Sequence, residues 1–225
     1  ARVGSRFHMA VRRYDANGAP DAGFGTDGMT TLDPYGSFGA DARHAYAHRA
    51  LVGPDGKIHV AGLASHMDAR GVQRVNAAAA RLNPDGTPDA TFGGDGTATA
   101  PMADIVNNQV GGGGDDRADA LALQSDGKLV VGGVLENAIG HTFAALARFA
   151  ADGRLDTNAP NEPRLPEHFG RDGSGVQLLD GSDDGGGVHD MVMLPGDVPL
   201  SLVSLPKPHP TLPAALQFGV GGPAG

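Results

Sequence analysis

The chain has 225 residues, 36 of them Gly and 16 Pro, with no Cys and no Trp. That density of Gly and Pro breaks long helices, the missing Cys excludes disulfides and thiolate zinc sites, and no run approaches the ~20 apolar residues of a membrane-spanning helix. The formal charge of -9 disfavours nucleic acid and anionic membrane surfaces as partners, and acidic groups spread along the chain describe a solvated surface.

The predicted elements begin with a strand running into Ala10-Val-Arg-Arg-Tyr14, followed by the turn Asp15-Ala-Asn17-Gly18-Ala-Pro-Asp21 and then Phe24-Gly25-Thr-Asp27-Gly28. Gly23 to Gly28 spells a dinucleotide fingerprint by letter. That fingerprint needs a helix after it, and the strand-like Met29-Thr-Thr-Leu32 follows instead. His44-Ala-Tyr-Ala-His48 would place two imidazoles on one face of a helix. In a strand they stand ~13 Å apart, at ~3.3 Å per residue, too far for one ion. They are expected at the surface.

From here the chain repeats itself, which sets the architecture. Val52-Gly-Pro-Asp55-Gly56-Lys57 returns as Leu123-Gln-Ser-Asp126-Gly127-Lys128, and in decayed form at Leu194 to Val203. The Ala-rich strand and turn recur at Ala78 to Asp89 and Ala145 to Asp156, each with Arg, Gly and Asp in fixed places. Phe-Gly-x-Asp-Gly recurs at Phe92 and Phe169, the last copy after an inserted loop from Thr157 to Pro166. Asp-Gly between apolar runs is a strong hairpin signal, because Gly accepts positive φ cheaply. Each unit then offers four short strands, near 46–52, 57–63, 76–83 and 97–101, and near 118–124, 128–134, 142–149 and 174–179. Phe24, Phe92 and Phe169 are expected to plug the core between neighbouring units. Gly111 to Gly114 and Gly185 to Gly187 read as flexible loops.

The predicted fold is all-β: tandem four-stranded antiparallel blades of β-propeller type. The boundaries are a partial unit 1–39, units 40–103 and 104–182, a partial unit 183–203, and a Pro/Gly-rich tail 204–225. That amounts to about three blade equivalents, whereas closed propellers take ~4–8. The expectation is an incomplete ring: a fragment of a longer protein, an open arc, or a subunit that self-associates through open blade edges.

The runs Ala-Leu-Ala-Arg-Phe-x-x-Asp-Gly-x-Leu-Asp at 145–156, Phe-Gly-x-Asp-Gly at 92–96 and 169–173, and Asp-x-Ala-Leu-Ala-Leu-Gln-x-Asp-Gly-Lys-Leu-Val-Val at 119–131 resemble the delta-60 repeat. The resemblance covers roughly 7 to 198. It implies a bacterial protein, secreted or at the cell surface, with a propeller-like fold and no established activity. The units here, near 68 residues, are longer than that family's usual ones.

Two sets of residues have chemistry to offer. Asp15, Asn17 and Asp21, and Asn83, Asp85 and Asp89 in the next copy, set oxygen ligands about a Gly, as calcium requires. No Glu closes either loop, and Ala150 replaces the leading ligand in the third copy. The same Asx side chains stabilise turns unaided, so calcium ligand and turn former both stand here. Asp115-Asp116, Asp183-Asp184 and Asp190 lie near strand starts, where paired carboxylates would suit glycoside hydrolysis. No nucleophile elbow, phosphate loop or His-Glu-x-x-His zinc motif occurs. The expected function is a non-catalytic binding or structural scaffold engaging a protein or carbohydrate surface. The alternative is a hydrolase or lyase with an acidic site at the propeller mouth, with or without calcium assistance. Convergence of Asp115, Asp116, Asp183, Asp184 or His189 on one pocket would favour the enzyme.

Overall fold

The computed structural model describes residues 2–3, 6–35, 42–106, 113–157, 169–170, 173–179 and 185–204. Its elements in chain order are β1 (Arg2–Val3), β2 (Arg6–Phe7), β3 (Met9–Arg12), β4 (Met29–Leu32), β5 (Ala42–Val52), β6 (Ile58–Met67), β7 (Gln73–Leu82), β8 (Thr97–Ala100), α1 (Met102–Ile105), β9 (Gly113–Leu123), β10 (Leu129–Asn137), β11 (Thr142–Phe149), β12 (Val176–Leu178), β13 (Gly187–Leu194) and β14 (Val198–Ser204). Among the described residues the fold is all-β apart from one helical turn, α1. Strands β5 to β8 form one antiparallel four-stranded blade, and β9 to β12 form the next. The hairpin β3–β4 supplies the outer two strands of a preceding blade, and β13–β14 the first two of a following one. The result is an open arc of propeller-like blades.

Neighbouring blades are also joined through hydrogen-bonded sheet. Phe7 pairs in parallel with His44 and Val75 with Asp115, so a ten-stranded sheet runs through the two complete blades. Strand β7 explains its own composition. Ala77 and Ala79 pack in one inter-blade core with Phe92, Leu129 and Phe149. Ala78 and Ala80, on the other face, pack with Met9, Phe24 and Leu32. A strand buried on both faces must be thin, and Ala meets that need despite its helix preference. A third core joins Ala120, Val130, Leu146 and Val188.

The first strands begin earlier than the sequence suggests. β5 starts at Ala42 and β9 at Gly113. Gly113, Gly114 and Gly187 therefore belong to strands, not to the flexible loops expected. Close backbone approach is the reason at Gly114: a Cβ there would sit 1.8 Å from the carbonyl oxygen of Glu136.

The recurring motifs form an inter-blade latch. In the second blade Arg81 Nε donates to Asp89 Oδ2 (2.6 Å), Lys57 Nζ reaches the same oxygen (2.7 Å), and the guanidinium lies 4.9 Å from the Phe92 ring centroid. The arginine then crosses to the third blade, donating from Nη1 to the Ala151 carbonyl (2.7 Å), while Gly93 N–H donates to the Asp152 carbonyl (2.8 Å). One blade earlier Arg13 pairs with Asp21 (2.8 Å), lies over Phe24 (4.8 Å) and donates to the Pro84 carbonyl (2.5 Å). Gly25 N–H donates there to the Asp85 carbonyl (2.8 Å). In the third blade Arg148, Asp156, Lys128 and Phe169 repeat the intra-blade half. Phe24 and Phe92 are fully buried and Phe169 is partly so. The Gly of each receiving turn is required by contact as well as by its positive φ: a Cβ on Gly153 would lie 2.5 Å from the Gly93 nitrogen.

Candidate functional site

The sequence-predicted calcium residues lie inside these turns and latches. Asp15 Oδ1 accepts from the N–H groups of Asn17 and Ala19, both at 2.9 Å. Asp21 gives one oxygen to Arg13 and the other to Gly23 N–H, and those contacts hold its carboxyl below the usual range, the Gly23 bond most of all. Asn83 Nδ2 donates to the Thr87 hydroxyl (3.0 Å), and Asp85 Oδ1 accepts from Thr87 N–H and hydroxyl. Burial opposes ionisation of Asp89, but bonds from Lys57, Thr91 and Arg81 outweigh it and hold the carboxyl far below the usual range. Asp15 and Asp85 thus close their own turns, while Asp21 and Asp89 are engaged by the latch cations. Among the described residues no group of three or more His, Cys, Asp or Glu is placed to hold a metal ion.

The strand starts present a different surface. A cleft of about 330 Å³ opens between the second and third blades where their first strands begin. Its second-blade wall is one face of the sheet, including Tyr46, Ser65 and Gln73, and its third-blade wall carries Asp115, Asp116, Arg117 and Glu136. The parallel Val75–Asp115 bridge sets this juxtaposition. Of the carboxylates proposed from sequence, Asp115 and Asp116 come together here. Asp183 and Asp184 lie outside the described residues, and His189 and Asp190 sit on β13, away from the cleft lining.

Asp116 is 2% exposed. Burial pushes its carboxyl up to about 8, the N–H groups of Ala103 and Met102 pull the other way, and Asp104 and Asp115 add to the rise. Both its oxygens accept from Ala103 N–H, at 3.2 and 3.1 Å, so it caps α1, where N–H groups have no partner within the helical turn. At the cleft rim Tyr46 and Phe7 are 41% and 43% exposed, and their rings stack at 5.6 Å and 26°. His44 lies 5.4 Å from Phe7 and accepts its N–H at Nδ1.

A polar row runs along the first strands. One register shift on each leaves an extra residue at an equivalent place, His48 on β5, Asp119 on β9 and His189 on β13, and β5 and β9 carry a second shift nearer their starts. A bulge re-aims the side chain it inserts. His48 Nδ1 meets Asp119 Oδ1 at 2.8 Å, and Arg117 donates to Asp119 Oδ2 at 2.8 Å. Arg49 donates to the Asp119 carbonyl (3.2 Å) and the His189 carbonyl (3.3 Å), linking second, third and fourth blades. The 71-residue repeat would have paired His48 with Asp119; Phe7, Tyr46 and Glu136 carry no comparable signal.

The family description of a beta-propeller domain of unknown function (DUF5122) matches this chain at residues 53–92 and 124–158. Both segments run from the Asp-Gly hairpin through the latch, Gly53 to Phe92 and Gln124 to the insertion after Asp156. A comparison with curated proteins finds no match.

Proposed function

We propose that the chain is a non-catalytic binding module of delta-60 repeat type, whose ligand sits at the strand starts, in the cleft between the second and third blades. One observation carries this reading. The residues that recur from blade to blade are occupied in holding blades together, whereas the cleft is lined by residues that do not recur: Tyr46, Asp115, Asp116 and Glu136. In a repeat architecture individuality at one position marks the place where blades are free to differ, and surface loops and openings are where binding resides.

The raised carboxyl of Asp116 beside Asp115 favours a second reading, hydrolysis or elimination by a carboxyl pair with separated protonation. Against it, both oxygens of Asp116 already face the Ala103 amide. Calcium assistance is the weaker part of that reading, since cations of the chain already neutralise Asp21 and Asp89.

Amide-resolved NMR titration with a library of small polar fragments tests the proposal. The expected shifts cluster at residues 44–46, 65–75 and 115–117. Shifts confined to the turns at 15–21 and 83–89, appearing with calcium, would overturn it in favour of metal sites there. Binding accompanied by turnover of a bound ester or glycoside, lost in Asp115→Asn, would overturn it in favour of the enzyme.

A further inference from the structure

Resting on the reading of the mouth as the binding surface, we infer that the cleft between the second and third blades takes a saccharide, one pyranose ring lying on the Tyr46–Phe7 shelf with its hydroxyl groups turned toward Asp115, Glu136 and Arg117. A sugar ring has an apolar C–H face and a hydroxyl edge. It is held by an exposed aromatic plane together with planar groups that donate and accept in pairs. The shelf is the first requirement. Two stacked rings, each more than two-fifths exposed, stand at the rim of a polar cleft. The recurring aromatics Phe24 and Phe92, by contrast, are fully buried.

The second requirement is a mixed set of donors and acceptors, and the cleft supplies it. Asp115 and Glu136 are acceptors, Gln73 is both donor and acceptor, and Arg117 is a donor already oriented by its bond to Asp119 (2.8 Å). The nearest rival by chemistry is a lysine- or arginine-bearing peptide drawn by the carboxylates and the rings. The guanidinium of Arg117 on the same wall disfavours a second cation there, and it is of direct use to a hydroxyl. The size is also suitable: about 330 Å³ lies at the small end of ligand clefts and accommodates a short oligosaccharide end.

The test is saturation-transfer NMR and calorimetry on the full chain with four probes, cellotriose, maltotriose, chitotriose and mannotriose, and with trilysine as the rival. We expect at least one trisaccharide to bind, with saturation strongest on the C–H protons of one ring. Tyr46→Ala is expected to weaken that binding at least tenfold, Glu136→Gln several-fold, and both variants to keep the parent melting temperature, since Tyr46 is exposed and Glu136 half-buried at the edge. Binding of none of the four overturns the inference. Trilysine binding that Glu136→Gln or Asp115→Asn abolishes overturns the saccharide while leaving the mouth as the binding surface. Saccharide binding unaffected by Tyr46→Ala and Glu136→Gln overturns both the inference and the reading it rests on.

Discussion

Replacing Phe92 by Ala is expected to destabilise the protein by about 3–5 kcal/mol, the range for emptying a buried aromatic site. Phe92 is 1% exposed and does three things at once. Its ring fills the core between the second and third blades and lies 6.3 Å from Phe149. One face carries the Arg81 guanidinium at 4.9 Å. The Gly153 backbone packs so closely on it that a Cβ there would lie 3.0 Å from the ring. Relaxation into the void is restricted, because Gly153 and Gly93 are tied by the Gly93 to Asp152 backbone bond. Against a total of ~5–15 kcal/mol for an ordinary domain, this is a large fraction. Urea denaturation measures it. Phe169→Ala, at the partly buried third copy, should cost clearly less. A loss below about 1 kcal/mol for Phe92→Ala would show that the ring is not the inter-blade plug.

The second large effect is a change in pH dependence for Asp116→Asn. Asp116 occupies the register position that Ala45 fills one blade earlier, since Ala45 pairs with Ala64 and Asp116 with Leu135. Its carboxyl, ordinarily at 3.8, is pushed up to about 8 by burial. Between those values the folded chain holds a proton that the unfolded chain has released, so stability falls as pH rises through the window. His59 opposes this at lower pH: burial and Arg81 push it down to about 4 from 6.5. Its contribution is present above pH 6.5 and is lost as pH falls toward 4. Asp89 acts lower still, its stabilisation being lost only as pH falls below the ordinary carboxylate range. Of these three groups Asp116 is the one that spans the window from 6.5 to 8. The wild type is expected to lose melting temperature across it, and Asp116→Asn, which keeps an acceptor for Ala103 N–H, to be flat and more stable at pH 8. Equal slopes in the two proteins would contradict the buried, protonated acid.

The fold was legible wherever a residue type is forced by backbone geometry. At the receiving turns the Gly is forced by contact: a Cβ on Gly86 or Gly153 would lie 2.8 or 2.5 Å from the Gly25 or Gly93 nitrogen of the preceding blade. The Asp-Gly and Phe-Gly punctuation placed the hairpins, and the alternating copy at Phe143 to Phe149 marked the Ala run of β7 as strand despite the helix preference of Ala. The extra length of β5 and β9 was hidden because bulges break the alternation that marks a strand. Gly113 and Gly114 open β9 with the residue usually found in loops. At the site, Asp115 and Asp116 stood out as adjacent acids. Their partners did not: Tyr46 and Gln73 meet them only after a parallel bridge joins two blades, a pairing no local pattern encodes, and Glu136 reaches them through the bulged end of the β9–β10 pairing. Within the calcium-like spacing, Asp85 closes a turn on Thr87 and Asp89 receives Arg81 and Lys57.

Site-resolved amide hydrogen exchange at Gly25 and Gly93 probes the latch most directly. Their N–H groups cross from one blade to the next turn, onto Asp85 and Asp152, and should open only with global unfolding, orders of magnitude more slowly than Gly71 and Gly140, whose bonds close hairpin tips. Exchange of Gly25 and Gly93 as fast as those tips would mean that the repeated motif does not bind the blades together.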